Sequence, residues 1–244
     1  DDILKHAMLA GDKKALLHRA QPVLENLRKE YGVTHMYFMR PDRSILLRVH
    51  QPERDGDVID RFTAMQAEAT GKQAAGLELG PAGTFTLRTV VPWREGGQLI
   101  GYIELGEEIG YILGSIREML GLDLLVAIKK QYLSQKDWMQ GLFMVNRRGD
   151  WDFLPDSVVI FQTMQEIPSS IQKVLAQVVS HDKSILDISD GGNKYRADHH
   201  ALLDAGGREV GCMLFIRDVT ARNRHSQRDT MLATGLAFAM GCAL

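Results

Sequence analysis

The sequence predicts an α+β fold made of two antiparallel-sheet modules in series. Three observations lead there. Stretches with helical periodicity, the longest at residues 3–30, alternate with short strand-like runs joined by tight turns. The strands follow one another directly, so an antiparallel sheet with helices packed on it is expected. After Gly121 the order of strands and helices approximately returns, although no residue-level repeat is present.

Each element has its own signal. Ile3, Leu4, Met8, Leu9, Leu16, Leu17, Ala20, Val23, Leu24 and Leu27 fall near one stripe, and Gly32 stops that helix. Strands are expected at 34–40 and 45–50, joined by the turn Pro41-Asp42-Arg43-Ser44. A polar loop at 51–56 leads to an amphipathic helix at 57–70, with Asp57 as its cap. Strands at 84–93 and 98–106 flank the turn Arg94-Glu95-Gly96-Gly97. A helix at 107–120 joins the two modules. The second module reads as a strand at 123–128, a helix at 131–144, a strand at 158–163 and a helix at 168–180 opened by Pro168 and Ser169. Strands at 184–189, 194–203 and 209–219 close it, turning at Asp190-Gly191-Gly192-Asn193 and Asp204-Ala205-Gly206-Gly207. The expected division is therefore 1–106, a connecting helix at 107–121, and 122–220, followed by an exit segment at 221–244.

That last segment differs in character. Thr230 to Leu244 reads TMLATGLAFAMGCAL, with no charged residue, behind Arg217, Arg222, Arg224 and Arg228. It is shorter than the ~20 apolar residues a membrane span requires. It reads as the truncated start of a transmembrane helix, and Asp1 at the other end as a processing boundary. A buried C-terminal core helix is the alternative. The formal net charge is −2, which gives no general attraction to nucleic acid. Cys212 and Cys242 make no CxxC and no disulfide framework.

The stretch from Tyr31 to Thr63 resembles the membrane-distal module of double Cache sensor domains. These precede sensor kinases, chemotaxis transducers and diguanylate cyclases. The resemblance is carried by THMYF at 34–38, PDR at 41–43, LRVHQPER at 47–54 and GDVIDRFT at 56–63. The runs VVPWREGGQLIGYIELGEEI at 90–109 and VGCMLFIRDVTARN at 210–223 also fit. The resemblance implies two PAS-like Cache modules on a long N-terminal helix. It also implies a periplasmic place between two transmembrane helices in the inner membrane, and a homodimer formed through that helix. The distal module would hold a small, possibly anionic ligand, and helix movement would carry the signal to a cytoplasmic output domain. No cofactor is implied.

Within the motif, Arg48 and His50 share strand parity and face one side of the sheet. Tyr37 on the neighbouring strand is expected on that side, with Arg61 on the following helix above it. Thr89, Tyr102 and Glu104 are further candidates. An arginine fork suits a carboxylate, and His50 and Tyr37 add single hydrogen bonds. The alternative is that Arg48 and Arg61 merely pair with Asp57, Asp60 or Glu104 and that His50 closes a turn.

Enzymatic signatures such as GxSxG, the P-loop and HExxH are absent. Adjacent His199 and His200 on a strand would point to opposite faces, a poor arrangement for one metal ion. Two other readings stay open: a soluble two-domain enzyme, and a cytoplasmic PAS-like interaction module.

Overall fold

The stripe predicted as one N-terminal helix folds as two. In the computed structural model, which describes residues 1–80, 83–144, 148–178 and 185–221, α1 spans Asp2–Ala10 and α2 spans Lys13–Tyr31. Gly11 ends α1 in the left-handed conformation (φ 66°), and the Asp12 side chain then caps α2 by accepting from the Ala15 N–H. Glycine enters that conformation without steric cost and aspartate is a favoured cap, so Gly-Asp restarts the helix while the apolar stripe continues.

The first sheet contains β1 (His35–Met39), β2 (Ile45–Arg48), β3 (Ala74–Leu79), β4 (Phe85–Glu95) and β5 (Gln98–Glu108), in the order β2-β1-β5-β4-β3. Helix α3 (Phe62–Thr70) lies between β2 and β3 in the chain. One face carries Met36, Phe38, Leu46, Leu47 and Ile100, which pack with Leu16, Ala20 and Leu24 of α2. The other face carries Met39, Ile45, Val90 and Tyr102, which pack with Ala64 and Ala67 of α3. The sheet is thus covered on both sides.

Helix α4 (Ile109–Leu120) is followed by the second sheet: β6 (Asp123–Lys129), β7 (Ser157–Gln162), β8 (Ile185–Asp190), β9 (Asn193–Leu203) and β10 (Glu209–Asp218), in the order β7-β6-β10-β9-β8. Between β6 and β7 in the chain come a 3-10 turn at Lys130–Tyr132 and α5 (Gln135–Met144); α6 (Ser169–Val178) follows β7. Ile171 and Leu175 of α6 pack on Leu125, Ala127, Ile188, Ala197, Cys212, Leu214 and Ile216. All described strand pairs are antiparallel.

Gly211 on β10 lies opposite Ile128, and a Cβ there would overlap the carbonyl oxygen of Ala127. Gly211→Ala is therefore expected to destabilise the protein by about 1–3 kcal/mol, the usual cost of overpacking. Urea denaturation measures it, and an unchanged midpoint would contradict the close approach.

Several boundaries depart from the sequence reading, among them the end of β2 at Arg48 instead of His50 and the start of α5 at Gln135 instead of Gln131. The helix expected from Asp57 begins at Phe62, with Arg61 at the cap position and no side-chain cap of its own. The cap comes from the sheet, where Glu78 Oε1 accepts the Thr63 N–H at 2.6 Å, while Asp57 is held by Arg48. Strand β3 was not foreseen, because its α3-facing positions hold Ala74, Gly76 and Glu78 rather than a run of large apolar residues. Glu107 and Glu108 continue β5 instead of opening a helix, since both still pair with β4.

Contacts among the described residues divide the chain into two units, but not consecutively. Residues 133–144 and 203–210 group with 1–114, and 115–132, 148–202 and 211–221 form the other unit. Within the first unit Trp138 of α5 is buried against Gly83, and the Ala205 N–H donates to Leu77 O at 2.7 Å. These contacts move α5 and one hairpin tip away from the unit their sequence position suggests. No helix among the described residues is long and apolar enough to cross a membrane. The apolar run at 230–244 lies outside the described residues.

Candidate ligand-binding site

The α3-covered face of the first sheet is polar where most sheet cores are apolar. Register builds it. Tyr37 pairs with Arg48 on one side and with Glu104 on the other, and Glu104 pairs with Val90. Two residues along, His35 pairs with Gly106, which pairs with Arg88. Cross-strand partners share a face, so His35, Tyr37, Arg48, Arg88 and Glu104 all stand on the face of the sheet that α3 packs against. Gly106 leaves room for this. A side chain there would press on Thr86, His35 and the Arg88 guanidinium.

Tyr37 is the centre of the cluster. The guanidinium carbons of Arg48, Arg61 and Arg88 lie 5.5, 5.5 and 5.8 Å from its ring centroid, within the range of cation–π attraction. His50 meets the same ring edge-on at 4.9 Å, and His35 lies 4.6 Å from His50.

Carboxylates balance the arginines. Glu104, fully buried, takes Arg61 Nη2 on both oxygens at 2.6 Å and Arg88 Nη1 on Oε1 at 2.5 Å. Arg61 Nε also lies 3.4 Å from Glu78 Oε2. Arg48, itself 4% exposed, grips Asp57 with two bonds of 2.7 and 2.6 Å and donates to the Arg54 carbonyl at 2.8 Å. Burial opposes the charge on Arg88 and Arg48, but Glu104 and Asp57 outweigh it and hold both guanidinium groups more basic than usual. The Arg48 hydrogen bond pulls the Asp57 carboxyl below its ordinary range. Four buried polar atoms in this region have no hydrogen-bond partner: Arg61 Nε, Arg88 Nε, Thr63 Oγ1 and Thr86 Oγ1. Buried polar groups are normally satisfied, so this face has capacity for further acceptors.

Both histidines are held neutral. Burial, reinforced by neighbouring guanidinium charge, pushes His35 down from 6.5 to about 2 and His50 down from 6.5 to about 4. His50 Nδ1 accepts from the Met36 N–H at 3.4 Å. The unfolded chain protonates both near pH 6.5 and the folded chain does not, so it binds more protons between about 6.5 and about 4. Stability should therefore fall as pH drops through that window. The double variant His35→Gln, His50→Gln is expected to lose about two protons' worth of this slope. Denaturant titrations at several pH values measure it, and an unchanged slope would contradict the assignment.

The structure brings together Tyr37, Arg48, His50, Arg61 and Glu104, but β2 ends at Arg48 and His50 stands in the turn after it, so strand parity is not what places His50 beside Tyr37. Their present partners are those of the alternative reading, Arg48 with Asp57 and Arg61 with Glu104. Thr89 is a correction. It pairs with Leu105, which packs on the α2-side core, so it stands on the opposite face. Tyr102 is on the expected face but sits in the apolar cluster with Met39 and Val90. Sequence reasoning missed His35, Thr63, Glu78, Thr86 and Arg88. Thr86 and Arg88 share parity with buried Val90, a signal that was available. Adjacent His199 and His200 lie on β9, where successive side chains alternate faces, and His200 Nε2 is 3.1 Å from Asp198.

Over residues 1–222 the chain matches the family described as the double sensory domain of two-component sensor kinases. The chain belongs to this double Cache family. As a double Cache domain it is a sensory rather than a catalytic module. Similar solved structures include the periplasmic domain of Vibrio cholerae LuxQ, at 13% identity and TM-score 0.49 over 89% of this chain and 86% of that one. A domain of a sensory box/GGDEF family protein from Vibrio parahaemolyticus aligns at 13% identity and TM-score 0.45, over 89% and 83% of the two chains. The ligand-binding domain of the Campylobacter jejuni chemoreceptor Tlp3, in complex with 4-methylisoleucine, aligns at 8% identity and TM-score 0.40, over 84% and 73%. Comparison with curated protein sequences finds no match.

Proposed function

We propose that this double Cache domain binds a small anionic molecule beneath α3 of its first module. The observation that carries the proposal is the convergence of three arginines on Tyr37, with buried donors nearby that still lack acceptors. Arg48 is the entry point. Its partner Asp57 is half-exposed, whereas Glu104 and Arg88 are buried and Arg61 is mostly so. A ligand carboxylate takes the place of Asp57 on the Arg48 fork, and the residues between β2 and α3 respond. Tyr37 and His50 orient the bound group, and Arg61 couples it to the start of α3.

In this reading the domain sits on the periplasmic side of the inner membrane between flanking transmembrane helices. It dimerises through α1 and α2, whose Ile3, Leu9, Val23 and Tyr31 are exposed, and its helices pass the signal to a cytoplasmic output domain. A thermal-shift screen of small carboxylates, amino acids and amines tests the binding. A ligand that binds only the native state raises the melting temperature with occupancy. Carboxylates should stabilise the protein and simple amines should not. Stabilisation by amines alone would sink the anionic assignment.

A further inference from the structure

A second polar hollow, of about 360 Å³, lies on the second sheet. Register places it on the α6-covered face. Ala127 pairs with Val159, and both face the α6 core. Lys129 pairs with Ser157 two residues further on and so emerges on that same face. There the apolar core gives way to Lys129, Lys130, Asp156 and Ser157, with Leu154, Pro155 and Ala176 as apolar walls.

Two features mark the hollow as built for a guest. Ser157 is 2% exposed, and its hydroxyl has no hydrogen-bond partner. Such a group is costly to leave unmet in a folded protein. Lys130 is half-buried and anchored to the backbone. Its ammonium donates to the Leu154 and Pro155 carbonyls, each at 2.8 Å, and lies 5.3 Å from the Trp151 ring centroid. A positive charge is thereby held at a set position in the lining of the hollow that also holds the unmet hydroxyl.

We infer that this hollow is a second ligand site, for a small monocarboxylate with a short aliphatic chain. The carboxylate accepts from the Ser157 hydroxyl and from the Lys129 ammonium, in the field of Lys130. The chain lies on Leu154, Pro155 and Ala176. Asp156 adds a negative charge at the rim, which disfavours dianions such as phosphate.

Calorimetric titration of the protein with sodium butyrate, and separately with sodium phosphate, tests this. Butyrate should bind more tightly than phosphate. Ser157→Ala should weaken butyrate by about five- to tenfold, the worth of one hydrogen bond, and Lys129→Gln should weaken it as well. The Ser157→Ala loss should persist in an Arg48→Ala background, which removes the first-module fork and so separates the two sites. Unliganded Ser157→Ala should unfold no more easily than the parent, since only an unmet hydroxyl is lost. Absence of butyrate binding, indifference to Ser157→Ala, or loss of the Ser157→Ala effect in the Arg48→Ala background would each overturn the site. Phosphate binding as tight as butyrate would overturn the monocarboxylate assignment. Destabilisation of unliganded Ser157→Ala would show that the hydroxyl serves the fold instead.

Discussion

Glu104→Gln should destabilise the protein by about 3–5 kcal/mol, the usual cost of breaking a buried ion pair from one side. Glu104 is fully buried and is bonded to both Arg61 and Arg88. Glutamine keeps the shape but removes the charge, and turns an amide donor toward two guanidinium donors. Arg88, 3% exposed, then holds a charge with no water to solvate it. Equilibrium denaturation of the whole chain measures the loss. Adding Arg88→Met to Glu104→Gln should restore part of it, because an apolar replacement of a buried pair is tolerated better than half a pair. A loss below about 1 kcal/mol would place the cluster among solvent-screened pairs and contradict its burial.

The second large effect is on binding. For a small carboxylate, Arg48→Ala should weaken affinity by about 1.5–3 kcal/mol, the range for hydrogen bonds to charged groups. Arg48→Lys should weaken it too, since an ammonium cannot reproduce the two-pronged contact now made with Asp57. Asp57→Asn should tighten binding, because it weakens the internal competitor for the same fork. His199→Ala should change little. Equal losses at Arg48 and His199, or a tighter ligand in Arg48→Ala, would place the site elsewhere.

Much of this arrangement could be read from the chain. Parity along LRVHQPER put Arg48 on one face, and the motif at 34–38 brought Tyr37 beside it. The first follows from the period of a strand, whereas the place of Tyr37 depends on the register between β1 and β2. The break at Gly11 was legible in principle, but the apolar stripe runs straight through it and hides the new helix start. Glu78 was not legible. It is an isolated carboxylate in the stretch AAGLEL, and only the folded register shows that it caps α3 from across the sheet. Thr89 failed for a simpler reason. It is one residue out of step with Arg88 and Val90, and a shift of one residue in a strand reverses the face. The pairing of Arg48 with Asp57 was one of the alternatives the sequence offered, but the sequence could not choose it, because a polar loop such as 51–61 fixes no geometry of its own.

Ligand binding beneath α3 is the central claim, and a crystal structure with the most stabilising carboxylate bound tests it most directly. The ligand should lie between α3 and the first sheet, with its carboxylate on the Arg48 guanidinium, Tyr37 and His50 beside it, and Asp57 displaced. A first module with no ligand and the Arg48–Asp57 pair intact, while the compound sits only on the second sheet, would contradict the account.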